Sequence, residues 1–370
     1  MRTTRRAAAT IVVVAASALA SACAYSPPPW PMMPATTTTT PTTPVIVPAS
    51  QRAANWLLTQ FDATTHLIPS PYVIGSPDPG ATAYAVTSLK LAGLGSSTAA
   101  AAVAALAPSV EPFVKDGSGN DRPGSLARLI LAVVSTGGDP RSYGGFDLVA
   151  RLEATMRTTG ADAGLFGSQD PLYDGAFRQG LSLAALSIVT PKPASIDPGP
   201  GSIDDLPAVA WLRTRQCTDG SWMPHRSDLG VACAPDPVLF TGPDTNSTAL
   251  ATLGLHAVGA TSVVSPLAWI NSVRSADGGW SFDGSTFSPT DPDSTGAVIA
   301  ALRALGEVPD AAAISSLTSF QLGAAAPAAD QGAFYYPPFV ATDPLVPNLL
   351  GTNDAILGLS DGVWPAALAG

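Results

Sequence analysis

The chain has 370 residues, of which 46% are hydrophobic and only 12% charged, enough to build an extensive core and too apolar for a disordered chain. Its formal charge is −10, and removal of three N-terminal arginines would leave 15 basic against 28 acidic residues. That balance speaks against nucleic acid or an anionic membrane face as partner.

Arg2, Arg5 and Arg6 precede an apolar run over 7–19, and Ala20-Ser21-Ala22 stands before Cys23. This reads as a signal peptide over 1–22, of the bacterial lipoprotein type with Cys23 lipidated, or cleaved after Ala-x-Ala for plain secretion. The run is short for a membrane span. Membrane contact is therefore expected only through a lipid anchor, on the outer face of the cell membrane. Residues 23–48 are rich in Pro and Thr and form an extended linker. The folded domain is expected over 49–365.

From residue 50 the chain reads as helical hairpins, each an outer amphipathic helix, a long loop and an inner helix apolar on nearly every side. Unit one pairs 50–61 with 81–94, entered through Asp78-Pro79-Gly80. Unit two pairs an Ala-rich helix over 98–106 with 123–135. Unit three pairs 147–158 with 175–188 and carries Gly164-Leu165-Phe166 between them. Units four and five are the clearest, because Trp211 to Trp222 (WLRTRQCTDGSW) recurs without a gap as Trp269 to Trp280 (WINSVRSADGGW). Both place a long polar residue at the fifth step (Gln216, Arg274), then Asp-Gly and a closing Trp. The Asp-Gly is expected to stop the outer helix, since Gly adopts left-handed backbone. Asp244 to Thr248 and Asp291 to Thr295 then offer caps to the inner helices that follow. Unit six pairs 314–321 with 350–359 and has Gly332-Ala333-Phe334 in its loop.

Six such pairs make twelve helices and an all-α fold. Helices apolar on every side must be buried, so the expected architecture is an α6/α6 toroid with the inner helices lining its axis. The long loops hold most of the aromatics, among them Tyr72, Phe166, Tyr173, Trp222, Phe240, Trp280, Phe282, Phe287, Phe334, Tyr335, Tyr336 and Phe339. They are expected to ring a cavity mouth. With Cys23 lipidated, Cys217 and Cys233 remain in one loop and are expected to form a disulfide. His66, His225 and His256 fall in no ligand spacing, and His256 reads as a core residue; no metal or cofactor is expected.

The paired Trp211 to Trp222 and Trp269 to Trp280 segments, with Asp291 to Thr295, resemble the repeats of squalene and terpenoid cyclases and protein prenyltransferases. The resemblance implies an α6/α6 toroid. Class II terpenoid cyclases use an Asp-x-Asp-Asp segment whose middle Asp protonates an alkene or epoxide, which places Asp293 at that acid and Ser294 where the third Asp would stand. Set against this, Asp293 is expected to cap its own helix, as Asp244 and Asn246 do one unit earlier. Complete cyclases also carry a second helical domain, for which the chain has no room. The start Asp244 to Ala251 is also similar to secreted toroids of the cobalamin-carrier kind, which clamp their ligand with a separate β-domain. Acidic pairs of some α/α barrels hydrolyse glycans, and Asp121, Asp174 and Asp354 are candidates for such a role.

The sequence therefore points to an exported, monomeric binding toroid. It would hold an apolar or amphipathic small molecule, or a cell-envelope component, with Asp244 and Asn246 at the cavity mouth and Trp222, Trp280 and Tyr336 as apolar contacts. The alternative is a class II cyclase with Asp293 as general acid.

Overall fold

The computed structural model describes residues 47–167, 174–224, 233–234, 242–284, 288–338 and 340–370. The segments read above as signal peptide and linker, with Cys23, lie outside the described residues up to residue 46, as do Tyr173, His225, Phe240, Phe287 and Phe339. Among the described residues all regular structure is helical, with isolated β-bridges only.

The outer layer comprises α1 (Ala49–Leu58), α3 (Ser96–Leu106), α6 (Leu148–Ala154), α8 (Pro207–Thr214), α10 (Leu267–Ser272) and α12 (Ala311–Ser319). The inner layer comprises α2 (Pro79–Leu91), α5 (Pro123–Ser135), α7 (Ala176–Ser187), α9 (Thr245–Val258), α11 (Pro292–Ala304) and α13 (Leu349–Leu359). One short helix, α4 (Val110–Val114), is additional to the twelve expected. It continues the outer strip of unit two after a 3-10 turn at Ala107–Ser109, where Pro108 lacks the N–H that an unbroken helix requires. Each inner helix packs on the next, and α13 packs back on both α2 and α1, which closes the toroid.

Local chemistry explains the closure. The motif's polar residue reaches from its own unit to the next outer helix. Gln216 donates to Gly220 O and Val264 O, at 2.8 and 2.7 Å, just ahead of α10. Arg274 forks onto Asp310, which caps α12. Gln321, at the same place in unit six, donates to Gly332 O at 2.9 Å and to Ala49 O in α1 at 2.8 Å. The brace between neighbouring units thus also joins the last unit to the first.

The motif glycine does not stop the outer helix as expected. α8 ends at Thr214, well before Gly220. The left-handed backbone is needed in the loop itself, where Gly220 (φ +95°) lies so close to the next unit that a Cβ would sit 2.6 Å from Ser265 O. Gly332 (φ +94°) abuts Arg52 O in the same way at the seam of the ring.

The motif aromatics fill the wedge between layers and do not ring a mouth. Trp222 and Trp280 are fully buried, and each indole donates to a carbonyl of its own outer helix, Leu212 O and Ile270 O, at 2.8 Å. Phe166 and Phe334 are buried equivalently; of the described loop aromatics only Tyr72 and Phe282 are largely exposed. His256 is exposed in the last turn of α9 and is not a core residue. The folded chain also runs past residue 365, since Leu368 is buried in a 3-10 turn that packs on α2 and α5.

Cys217 and Cys233 are joined by a disulfide across 16 residues of sequence.

Candidate functional site

The inner helices share one register, which places the cavity wall. Asp78, Asp244, Asp291 and Asn348 each accept a hydrogen bond from the N–H three residues on and cap α2, α9, α11 and α13. A Thr four residues after each cap (Thr82, Thr248, Thr295, Thr352) turns outward and accepts the backbone N–H of the motif loop, as Thr295 does from Trp280 at 3.0 Å. Residues two and six after the cap sit one turn apart on the opposite side of the helix, facing the axis. The sixth residue forms a ring with one member per unit: Tyr84, Arg128, Leu181, Leu250, Ala297 and Asp354. Above it stand Phe177, Asn246, Asp293 and Leu350; below it are Leu91, Leu131, Leu357 and Trp364.

These residues enclose a cavity of about 240 Å³. It continues, past Tyr84, Arg128 and Leu350, into a wider vestibule of about 1160 Å³ between the first and last units. Gly80, two after the cap of α2, puts no side chain into that vestibule. The lining is apolar on units three, four and five and carries its ionisable groups on the other side and at the top.

Asp293 is not a cap. Asp291 fills that position, accepting from Ser294 N at 2.7 Å and from Ser294 Oγ at 2.8 Å. Asp293 is instead turned to the axis, where its Oδ2 accepts from Tyr336 Oη at 2.9 Å and Asn246 Nδ2 at 3.2 Å. Asn246 likewise does not cap; Asp244 caps α9 through Ser247 N at 2.6 Å. Asp354 faces Asp293 from α13 and accepts the Tyr84 hydroxyl, while Arg128 lies over the Tyr84 ring, 4.4 Å from its centroid.

Burial dominates the electrostatics here. It pushes Asp354 well up from the usual carboxylate range, and the charge of Asp293 beside it adds to that rise. Burial raises Asp244 to about 7 against the opposing bonds from Ser247, and Asp291 to about 6. Tyr84 and Tyr336 are also raised, first by burial and then by the neighbouring carboxylates, so both remain hydroxyl donors.

Of the residues expected at the site, the structure therefore brings Asp293, Asn246 and Tyr336 together. Asp244 lies behind them as a buried cap, and Trp222 and Trp280 are in the inter-layer core. Asp121 is neutralised by Arg151 and Lys115 away from the axis, and Asp174 pairs with Arg178. Tyr84 and Arg128 were not anticipated, and Asp354 only as a glycan-cleaving acid. Counting six residues on from the caps Asp78 and Asn348 finds Tyr84 and Asp354, and the same count from Arg122, which precedes α5 without capping it, finds Arg128.

No family model matches the chain, and no curated protein matches it. Solved structures do. The type II terpene cyclase MstE from Scytonema, in its apo form, aligns with TM-score 0.54 and 15% identity over 84% of this chain and 96% of its own. An unsaturated glucuronyl hydrolase specific for heparin aligns with TM-score 0.55 and 13% identity over 84% and 95%. An α-1,6-mannanase of Salegentibacter sp. aligns with TM-score 0.50 and 11% identity over 84% and 97%. At such identities the likeness defines the fold: the chain is an α/α toroid.

Proposed function

We propose that the chain is an enzyme that starts an isomerisation or cyclisation by protonating an unsaturated, largely apolar substrate, with Asp293 at the centre of its acid site. The observation that carries this reading is the direction of Asp293. A cap would spend its carboxylate on its own helix, whereas this one is held by Tyr336 and Asn246 at the polar top of an apolar cavity, against a second carboxyl, Asp354, whose pKa burial raises. A proton donor for a carbon–carbon double bond has to be an acid shielded from water. Phe177, Tyr84 and Trp364 present aromatic rings to the cation that protonation would create. Ser294, standing where class II cyclases have a third Asp, braces Asp291 and leaves the cavity to other groups.

A glycan-cleaving role fits less well. Glycosidase carboxyl pairs stand roughly 5 to 9.5 Å apart to flank a sugar bond, whereas Asp293 and Asp354 are within hydrogen-bonding reach. The neighbouring MstE has an Asp-to-Asn variant in complex with its substrate, geranylgeranyl dihydroxybenzoate; a polyprene-bearing molecule is the substrate class proposed here. The site would act as a monomer outside the cytoplasm, tethered through Cys23 or secreted, a location with which the Cys217–Cys233 bond is consistent.

The test is turnover of polyprene alcohols, aryl polyprenes and terminal epoxides, read as products of unchanged mass. Asp293→Asn should lower the rate by about 10²–10⁴-fold. Equal rates in the two proteins would refute the acid site. A lipid recovered unchanged from the purified wild type, with no turnover of any of these compounds, would instead make the cavity that of a carrier.

A further inference from the structure

We infer that the proton of this site resides on Asp354 of α13, and that Asp293, held by Tyr336 and Asn246, is the partner that orients it. This deepens the acid-site reading and rests on it for its catalytic meaning, but the assignment itself stands on geometry.

Donors are distributed unequally between the two carboxyls. Asp293 Oδ2 receives two, the Tyr336 hydroxyl and the Asn246 amide, and both stabilise negative charge there. Asp354 receives one, from Tyr84 at Oδ1, while its Oδ2 is buried without a donor. An orphaned buried oxygen is destabilising, because it has left water without gaining a donor. A proton on Oδ2 removes that cost, because Asp354 then donates to Asp293. Charge balance points the same way. Among the described residues the cavity lining holds one cation, Arg128, against two carboxyls, so a single proton on the pair makes that lining neutral.

Position gives the arrangement its use. Asp293 stands in the upper tier, whereas Asp354 is one tier deeper, level with Leu181, Leu250 and Ala297. An apolar chain resting on those three residues presents its double bond to Asp354. In the step, the Asp354 O–H bond breaks and its electron pair stays on the carboxylate. The alkene π pair forms the new C–H bond and leaves a carbocation beside the Asp354 carboxylate and Asp293. Loss of a proton from the rearranged cation returns it to the pair, so the product is an isomer and no co-reactant is required.

The experiment is carbon NMR of the full chain labelled at the aspartate carboxyl carbon. Signals are assigned by their absence from Asp354→Asn and Asp293→Asn, and titrations are read in the wild type. Near pH 8 the Asp244 and Asp291 carboxyls, at about 7 and about 6, are mostly ionised. There the Asp354 signal should still lie at the protonated position, closer to it than the Asp293 signal. The reverse order, or both signals at the same position, overturns the assignment. Should either Asn variant fail to fold, the matching Glu variant, which moves rather than removes the carboxyl, supplies the assignment. Absence of turnover in the wild type would sink the proposed function and leave the NMR result to decide this inference alone.

Discussion

Replacing Asp244 by Asn separates a cap from a charged ligand contact, because Asn caps a helix about as well as Asp and cannot ionise. Asp244 is almost wholly buried, its Oδ1 takes Ser247 N and its Oδ2 has no partner. Burial lifts its carboxyl from 3.8 to about 7 in the folded chain. The sign follows from proton binding. Between roughly pH 4 and pH 7 the native state holds a proton that the unfolded chain has released, so stability falls as pH rises and levels off above the folded value. A rise of about three units corresponds to roughly 4 kcal/mol, an upper bound on the cost at alkaline pH. Asp244→Asn should therefore match the wild type within about 1 kcal/mol near pH 4.5 and exceed it by about 2–4 kcal/mol near pH 8.5. Urea unfolding of both proteins at the two pH values measures this. Asp291→Asn provides a smaller version, its carboxyl being raised only to about 6. A stability difference independent of pH, or a variant weaker at pH 8.5 than at pH 4.5, would refute the account of Asp244 as a buried, reluctantly charged cap.

Two further outcomes concern the ring. Gly332→Ala combines a positive φ with a Cβ 2.5 Å from Arg52 O at the seam; it should cost about 2–4 kcal/mol in urea unfolding. Gly323→Ala, which meets nothing within 4 Å, should stay within about 0.5 kcal/mol. Cys217→Ser opens a loop of 16 residues in sequence and should cost about 3 kcal/mol, with the wild type falling to the same level in reductant and the variant unmoved by it.

The elements legible in the sequence were those that several units repeat. A brace such as Gln216, a close-packed glycine such as Gly220 and a wedge such as Trp222 solve one contact between neighbours, and the contact recurs around the ring. Comparing Trp211–Trp222 with Trp269–Trp280 therefore exposed the hairpin, and the count of six gave the toroid. The same repetition misled about roles. A tryptophan in a long loop suggested a ligand contact, yet the loop folds back so that Trp222 and Trp280 bond their own outer helices.

The deeper lining of the cavity, Tyr84 and Arg128 among it, escaped detection for the opposite reason. Its wall differs from unit to unit, since a site that binds one molecule in one orientation cannot be sixfold symmetric, so matching repeats passes over it. Asp291-Pro292-Asp293 shows the difficulty within three residues. Both carboxylates precede an apolar helix, and either would serve as a cap. The Thr four residues after each cap resolves them: Thr295 must reach Trp280, so Asp291 caps and Asp293, two residues on, has to face the axis. Applied to α13, the same count runs from Asn348 through Thr352 and puts Asp354 on the axis opposite Asp293. The repeat thus fixes which positions look inward, and the departures from the repeat at those positions, Asp293 and Asp354 among leucines and alanines, are where the chemistry of this toroid has to be sought.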